Sequence, residues 1–175
     1  MEKYLLLLLS MVVLPAWGGT SDPLVFGGSP ENKVEDDSKP WQEVQASLPA
    51  YPKQENLLAF TVSAATDNSY AIDAASLSVG KDGVVRYAVV IDSTHGARTV
   101  NYEGMRCDPS EYKIYAFGHS DNTWSKNRYA KWEPYKLRSL LSYHKPLFEE
   151  YFCPDFIRVR NAAEAINNLK RARHK

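Results

Sequence analysis

The chain has only two cysteines in 175 residues, with no CxxC motif and no histidine pair beside them. That is a poor ligand set for structural zinc, and no metal is expected. Charge of one sign is lacking too, with 21 Lys and Arg against 21 Asp and Glu. Without a basic excess, an RNA-binding aromatic signature or zinc-finger spacing, nucleic acid is not an expected partner. There is no Walker loop, GxGxxG, HExxH or GxSxG, so no cofactor is expected and no familiar catalytic motif is present. No internal repeat is visible. What remains is 44% hydrophobic and 12% aromatic, which suits one globular domain with a real core.

Only one long apolar run occurs, and it lies at the start. Lys3 precedes Tyr4 to Leu14, and the small residues Ala16, Gly18 and Gly19 follow. The run has signal-peptide length and is short for a membrane span. The pattern predicts a cleaved secretory signal over residues 1–19, cut between Ala16 and Thr20. Residues 20–40 are rich in Gly, Pro, Ser and acids, and read as a flexible leader. Residues 41–175 are expected to form a single domain, with no transmembrane segment in the mature protein. An even pair of cysteines in an exported chain predicts a Cys107–Cys153 disulfide.

The expected fold class is α+β, an antiparallel β-meander of four to six strands with C-terminal helices packed on it. Pro49 and Pro52 forbid a long helix in Trp41 to Pro52, so that segment reads as turns and extended chain. Strands are predicted over Leu57–Ala64 and Ala71–Val79, with a bulge or turn at Asp73 to Ala75. The Gly80-Lys-Asp-Gly83 turn then opens a hairpin. Further strands follow over Val84–Ser93, Ala97–Cys107 and Glu111–Phe117, joined at Thr94–Gly96 and Asp108–Ser110. Gly118 to Trp132 reads as a polar loop. Helices are predicted over Tyr135–Tyr143, over Pro146–Phe152, and after an Asn161 cap with Glu164 at its third position. Phe156 to Arg160 reads as extended. The basic tail Lys170 to Lys175 reads as a solvated helix end.

Alternation in Ala97–Cys107 puts Arg98, Val100, Tyr102, Gly104 and Arg106 on one face, and Thr99, Asn101, Glu103, Met105 and Cys107 on the other. Glu103 and Arg106 therefore cannot easily form one active-site pair. Register counted from the Thr94–Gly96 turn brings Glu103 near Tyr87 and Arg86. Register counted from the Asp108–Ser110 turn brings it near Tyr115. A half-buried glutamate there needs a partner. Ser110-Glu-Tyr-Lys113 and Ser120-Asp-Asn122 match two motifs of penicillin-binding enzymes. Lys113 is predicted in a strand, however, and no K-T-G is present. The candidate binding residues are Arg86, Tyr87, Tyr102, Glu103, Arg106, His119, Asp121, Trp124 and Trp132. His95, at a hairpin tip, is not expected to join His119.

Several blocks together resemble the cryptic neisserial protein, or CNP-like, family of small exported proteins of Gram-negative bacteria. They include Asp82-Gly-Val-Val-Arg-Tyr87, Tyr102-Glu-Gly-Met-Arg-Cys107, Tyr115-Ala-Phe-Gly118 and Phe152-Cys153. The resemblance covers nearly the whole mature chain. It implies a single envelope domain and a periplasmic home, and it brings no reaction. The expected function is that of a non-enzymatic periplasmic protein binding an envelope protein or ligand. The alternative is a small periplasmic hydrolase or metal-dependent enzyme using Glu103, His119 and Asp121.

Overall fold

The β-branched and aromatic runs separated by turn residues fold into one antiparallel sheet. A computed structural model describes residues 40–135 and 142–172, all within the unit Pro40–Lys175. The strands are β1 (Leu57–Phe60), β2 (Ser69–Val79), β3 (Val85–Asp92), β4 (Arg98–Arg106), β5 (Glu111–Gly118), β6 (Trp124–Lys126) and β7 (Glu133–Pro134). Neighbours in sequence are neighbours in space from β1 to β6, and β7 pairs β5. The α+β meander expected from sequence is the observed architecture. The predicted signal and leader lie outside the described residues, as does most of the predicted Tyr135–Tyr143 helix.

Local chemistry sets each turn. The Gly80–Gly83 turn closes with Gly83 N–H donating to Gly80 O at 3.0 Å, and Gly83 takes the positive φ of +79° that glycine tolerates. The irregularity predicted in β2 is real, since register shifts between Asp73 and Ser78. Ser76 repairs it: its hydroxyl donates to Asp73 O and accepts from Ala88 N–H, each at 2.7 Å. Two expectations are corrected. The first strand ends at Phe60 rather than Ala64, because Ser63 starts a turn that binds Ala65 and Thr66. The polar stretch after Gly118 also is not all loop. Asp121 accepts from the backbone N–H and hydroxyl of Thr123, which folds a tight hairpin into β6.

One face of the sheet carries Ile72, Val85, Tyr87, Val89, Met105 and Tyr112 into the main core. The helical elements cover it. Helix α1 (His144–Pro146) runs directly into a π-helical stretch, Leu147–Phe152, and helix α2 (Ala162–Ala172) follows. The predicted Pro146–Phe152 helix thus starts two residues earlier. Pro146 falls in its first turn, where a missing N–H costs nothing. The π-helical turn buries Leu147, Phe148, Tyr151 and Phe152 together. In α2, the Asn161 side chain accepts from Glu164 N–H at 3.0 Å, as its spacing predicts. Glu164 reaches back to Arg160 N–H rather than to Asn161. The stretch predicted as extended from Phe156 begins instead with Phe156 at a positive φ of +63°.

Cys107 at the end of β4 is bonded to Cys153 at the end of the π-helical stretch. The bond links residues 46 apart in sequence, and constraining a loop of that length in the unfolded chain contributes about 4 kcal/mol. Thiol titration of the denatured, unreduced protein is expected to find no reactive thiol. Cys107→Ser is expected to lower urea-unfolding stability by about 3–4 kcal/mol; two free thiols in the native protein would contradict the pairing.

Candidate functional site

The polar groups singled out in the sequence separate onto two faces of the sheet. On the helix-covered face, Glu103 is fully buried at 0% exposure. A buried carboxylate survives only when its oxygens are occupied. One oxygen accepts from Tyr143 O–H at 2.6 Å and Asn101 Nδ2 at 3.1 Å. The other accepts from His144 Nε2 at 2.9 Å and Tyr87 O–H at 3.1 Å. An ionised carboxylate only accepts, so His144 Nε2 carries the hydrogen. The opposite ring nitrogen of His144 lies 3.2 Å from the Ser142 hydroxyl. Its ring stacks on Tyr112, centroids 3.7 Å apart.

Burial works to raise the Glu103 pKa, but His144, Tyr143 and Asn101 together hold it below the ordinary 4.5. Burial and the Glu103 charge push the Tyr87 and Tyr143 phenols well up. The cluster is therefore an ionised carboxylate ringed by donors. It has no oxygen left for a substrate and no route to solvent. The register expected from the Thr94–Gly96 turn is borne out: Tyr87 lies directly opposite Glu103. Two neighbours are corrected. Arg86 opposes Gly104 and points to the other face, and Ile114 rather than Tyr115 lies opposite Glu103.

The second face is covered by the chain leading into the sheet. Residues 41–52 cross it as a strap. Asp82, in the turn before β3, anchors the strap. Its carboxylate accepts from Val44 N–H at 2.8 Å and binds Arg86 through both oxygens, at 2.6 and 3.1 Å. Arg86 also donates to Val44 O at 2.8 Å. Burial raises the Asp82 pKa, but the Arg86 guanidinium and the Val44 and Val84 N–H groups hold it low. Further along, Trp124 Nε1 donates to Pro49 O, and Tyr51 O–H donates to His119 O.

Between these anchors runs a ladder of alternating rings and cations. Arg106 lies 3.7 Å above the Trp41 ring and 5.5 Å from Trp132. Lys113 stands between Trp132 and Tyr115. Glu43 of the strap accepts from Lys113 at 2.9 Å and from Trp132 Nε1 at 3.2 Å. A bulge makes the ladder possible. Tyr102 pairs Ala116 and Glu103 pairs Ile114, so Tyr115 is the extra residue and faces the strap. Its ring lies across Gly104, where a Cβ would stand 2.6 Å from the Tyr115 hydroxyl oxygen. This explains the glycine inside Y-E-G-M-R-C.

Two clefts flank the ladder. One, of about 350 Å³, lies between Glu43, Leu48, Lys113, Tyr115, Lys126 and Asn127. The other, of about 260 Å³, lies between Trp41, Arg106, Asp108, Phe156 and Arg158, against the Asp82–Gly83 turn. Of the candidate binding residues, Arg86, Tyr102, Arg106, Trp124 and Trp132 belong to the strap face, and Tyr87 and Glu103 to the buried cluster. His119 and Asp121 sit in the exposed β5–β6 turn, where Asp121 is committed to Thr123. The structure does not bring Glu103, His119 and Asp121 together. Among the described residues, no group of three or more His, Cys, Asp or Glu is placed to hold a metal ion. The sequence reading missed His144, Tyr143 and the strap residues Trp41 and Glu43. Trp41 beside a proline-broken extended segment was the one available signal.

Glu103→Ala would strand its donors in the core and is expected to cost about 3–5 kcal/mol of unfolding stability. A depressed carboxylate pKa contributes stability that is complete above the unfolded-state value of about 4.5 and is lost as pH falls through the folded-state value. The wild type should therefore lose stability on acidification below pH 4.5. Glu103→Gln should show a shallower loss over the same range in urea titrations. Equal acid slopes for the two proteins would rule out an ionised Glu103.

No curated protein and no solved structure matches the chain. A family model matches residues 36–170. That span includes the strap, every strand, both disulfide cysteines and the Glu103–His144 cluster. The chain therefore belongs to the CNP1-like family.

Proposed function

We propose that the protein is exported to the periplasm and acts there as a non-catalytic binding protein of the cell envelope. The observation that carries this reading is the strap face. Its cations are held between indole and phenol rings beside two open clefts, while the most deeply buried acid of the fold is closed off. Positioned aromatics and cations suit recognition of a ligand or partner surface. The Cys107–Cys153 bond supports an oxidising compartment. Among the described residues no helix is long and apolar enough to cross a membrane. A hydrolase built on Glu103, His119 and Asp121 would need those groups to converge on one accessible point.

Two measurements test the reading. N-terminal sequencing of the protein recovered from the periplasm is expected to start at one of residues 17 to 20; a retained Met1 would contradict the cleaved signal. A photo-crosslinker placed at Gln45 or Lys126, beside the larger cleft, is expected to capture an envelope component. The same group at Lys170, on α2, is expected to capture none. Equal capture at all three positions, or none at the cleft, would sink the binding role of this face.

A further inference from the structure

The smaller cleft holds charges of both signs that do not neutralise one another. Arg158 and Asp108 both line it and are both exposed. Among the described residues neither makes an ion pair within 4.0 Å. Arg158 lies against the Gly83 turn, its Nε 3.6 Å from where a side chain would begin. Asp82, which also touches the cleft, adds no free charge, because its carboxylate is 0% exposed and bound to Arg86. Arg106 is held over the Trp41 ring, its Cζ 3.7 Å from the ring centre, and is paired with Glu111 through one nitrogen at 3.3 Å. That contact positions its guanidinium at the cleft, and a planar fork matches a carboxylate.

The walls of the cleft are apolar and open. Trp41 is 41% exposed and Phe156 is 61% exposed. Phe156 is held there by an unusual backbone: Asp155 and Phe156 take successive positive φ values of +54° and +63°. Such conformations cost energy in residues with a Cβ and persist where the surroundings impose them. Here the disulfide at Cys153 and Pro154 immediately precede them.

We infer that the cleft of Trp41, Arg106, Asp108, Phe156 and Arg158 binds the α-ammonium and α-carboxylate of an apolar or aromatic amino acid. The two guanidinium groups take the carboxylate, Asp108 takes the ammonium, and the side chain lies between Trp41 and Phe156. A zwitterion satisfies both signs of charge at once, which a simple anion or cation would not. A volume of about 260 Å³ admits one such residue. The inference rests on the binding role of the strap face and names the ligand class for one of its clefts.

The test uses the full exported, disulfide-bonded protein, followed by tryptophan fluorescence and calorimetry. L-phenylalanine and L-leucine are expected to bind saturably. Phenylalaninamide and N-acetylphenylalanine, each lacking one charge, are expected to bind roughly tenfold or more weakly, the size of one charge-assisted contact. Arg158→Gln should reduce the preference for the acid over the amide, with Arg106 keeping the remainder. Asp108→Asn should abolish the preference for the free amine over the N-acetyl form. Lys53→Gln, remote from the cleft, should keep both preferences, and thermal melting checks that each variant is folded. Saturable binding by none of the four compounds would overturn the inference, as would equal affinity for acid and amide. If that failure came with successful crosslinking at Gln45 or Lys126, only the amino-acid site would fall; if crosslinking failed too, the binding role itself would fall.

Discussion

The fold is organised around a buried carboxylate. Glu103 sits at 0% exposure in the middle of β4, where a carboxylate persists only if donors fill both its oxygens. Its acceptance of four donors ties three parts of the chain together: β3 through Tyr87, β4 through Asn101, and the segment entering α1 through Tyr143 and His144. Removing any one donor leaves a charge less compensated in a medium that punishes it. The cluster therefore specifies one docking of α1 on the sheet, where apolar packing alone would tolerate several.

The disulfide acts on the same pair of elements. His144 opens α1 and is bound to Glu103, and Cys153 ends the π-helical stretch and is bonded to Cys107. Glu103 and Cys107 are four residues apart, about 13 Å along a strand. The helical segment is thus clamped to the strand at both ends, by His144 on Glu103 and by Cys153 on Cys107. One clamp depends on protonation and the other on redox state. The segment between carries Leu147, Phe148, Tyr151 and Phe152 into the core, so the clamps fix the main apolar layer.

Much of the sheet was legible because its determinants are local. The Gly80–Gly83 turn and the β-branched runs on each side fixed a hairpin, and alternation correctly split Glu103 from Arg106. Counting from the Thr94–Gly96 turn placed Tyr87 opposite Glu103. The failures are non-local. His144 reaches Glu103 across 41 residues, and nothing in local periodicity points to that contact. The strap folds onto the back of the sheet through Asp82, a residue legible only as a turn former. The Tyr115 bulge shifts facing by one residue, which no alternation pattern anticipates. Arg86 was placed beside Glu103 for that kind of reason: a diagonal neighbour in a flat drawing of the strands is, in a pleated sheet, a residue on the opposite side.

The contrast between the two faces bears on what the protein can do. On the helix face, the Glu103 carboxylate is satisfied inward by four donors and enclosed, which suits stability. On the strap face, cover is supplied by a segment of about a dozen residues with no strand pairing, fastened chiefly through Asp82, Glu43 and three indole N–H groups. Such a cover excludes less water than packed helices, and clefts remain on both sides of it. Of the charges that border those clefts, Arg106 and Lys113 are stacked on rings, and Asp108 and Arg158 stand exposed at the smaller one. A site that must meet a ligand needs that combination, with position fixed by stacking and charge left partly unspent. In this fold that combination occurs on the strap face, while the Glu103 cluster ties β3, β4 and the segment entering α1 together under the opposite face.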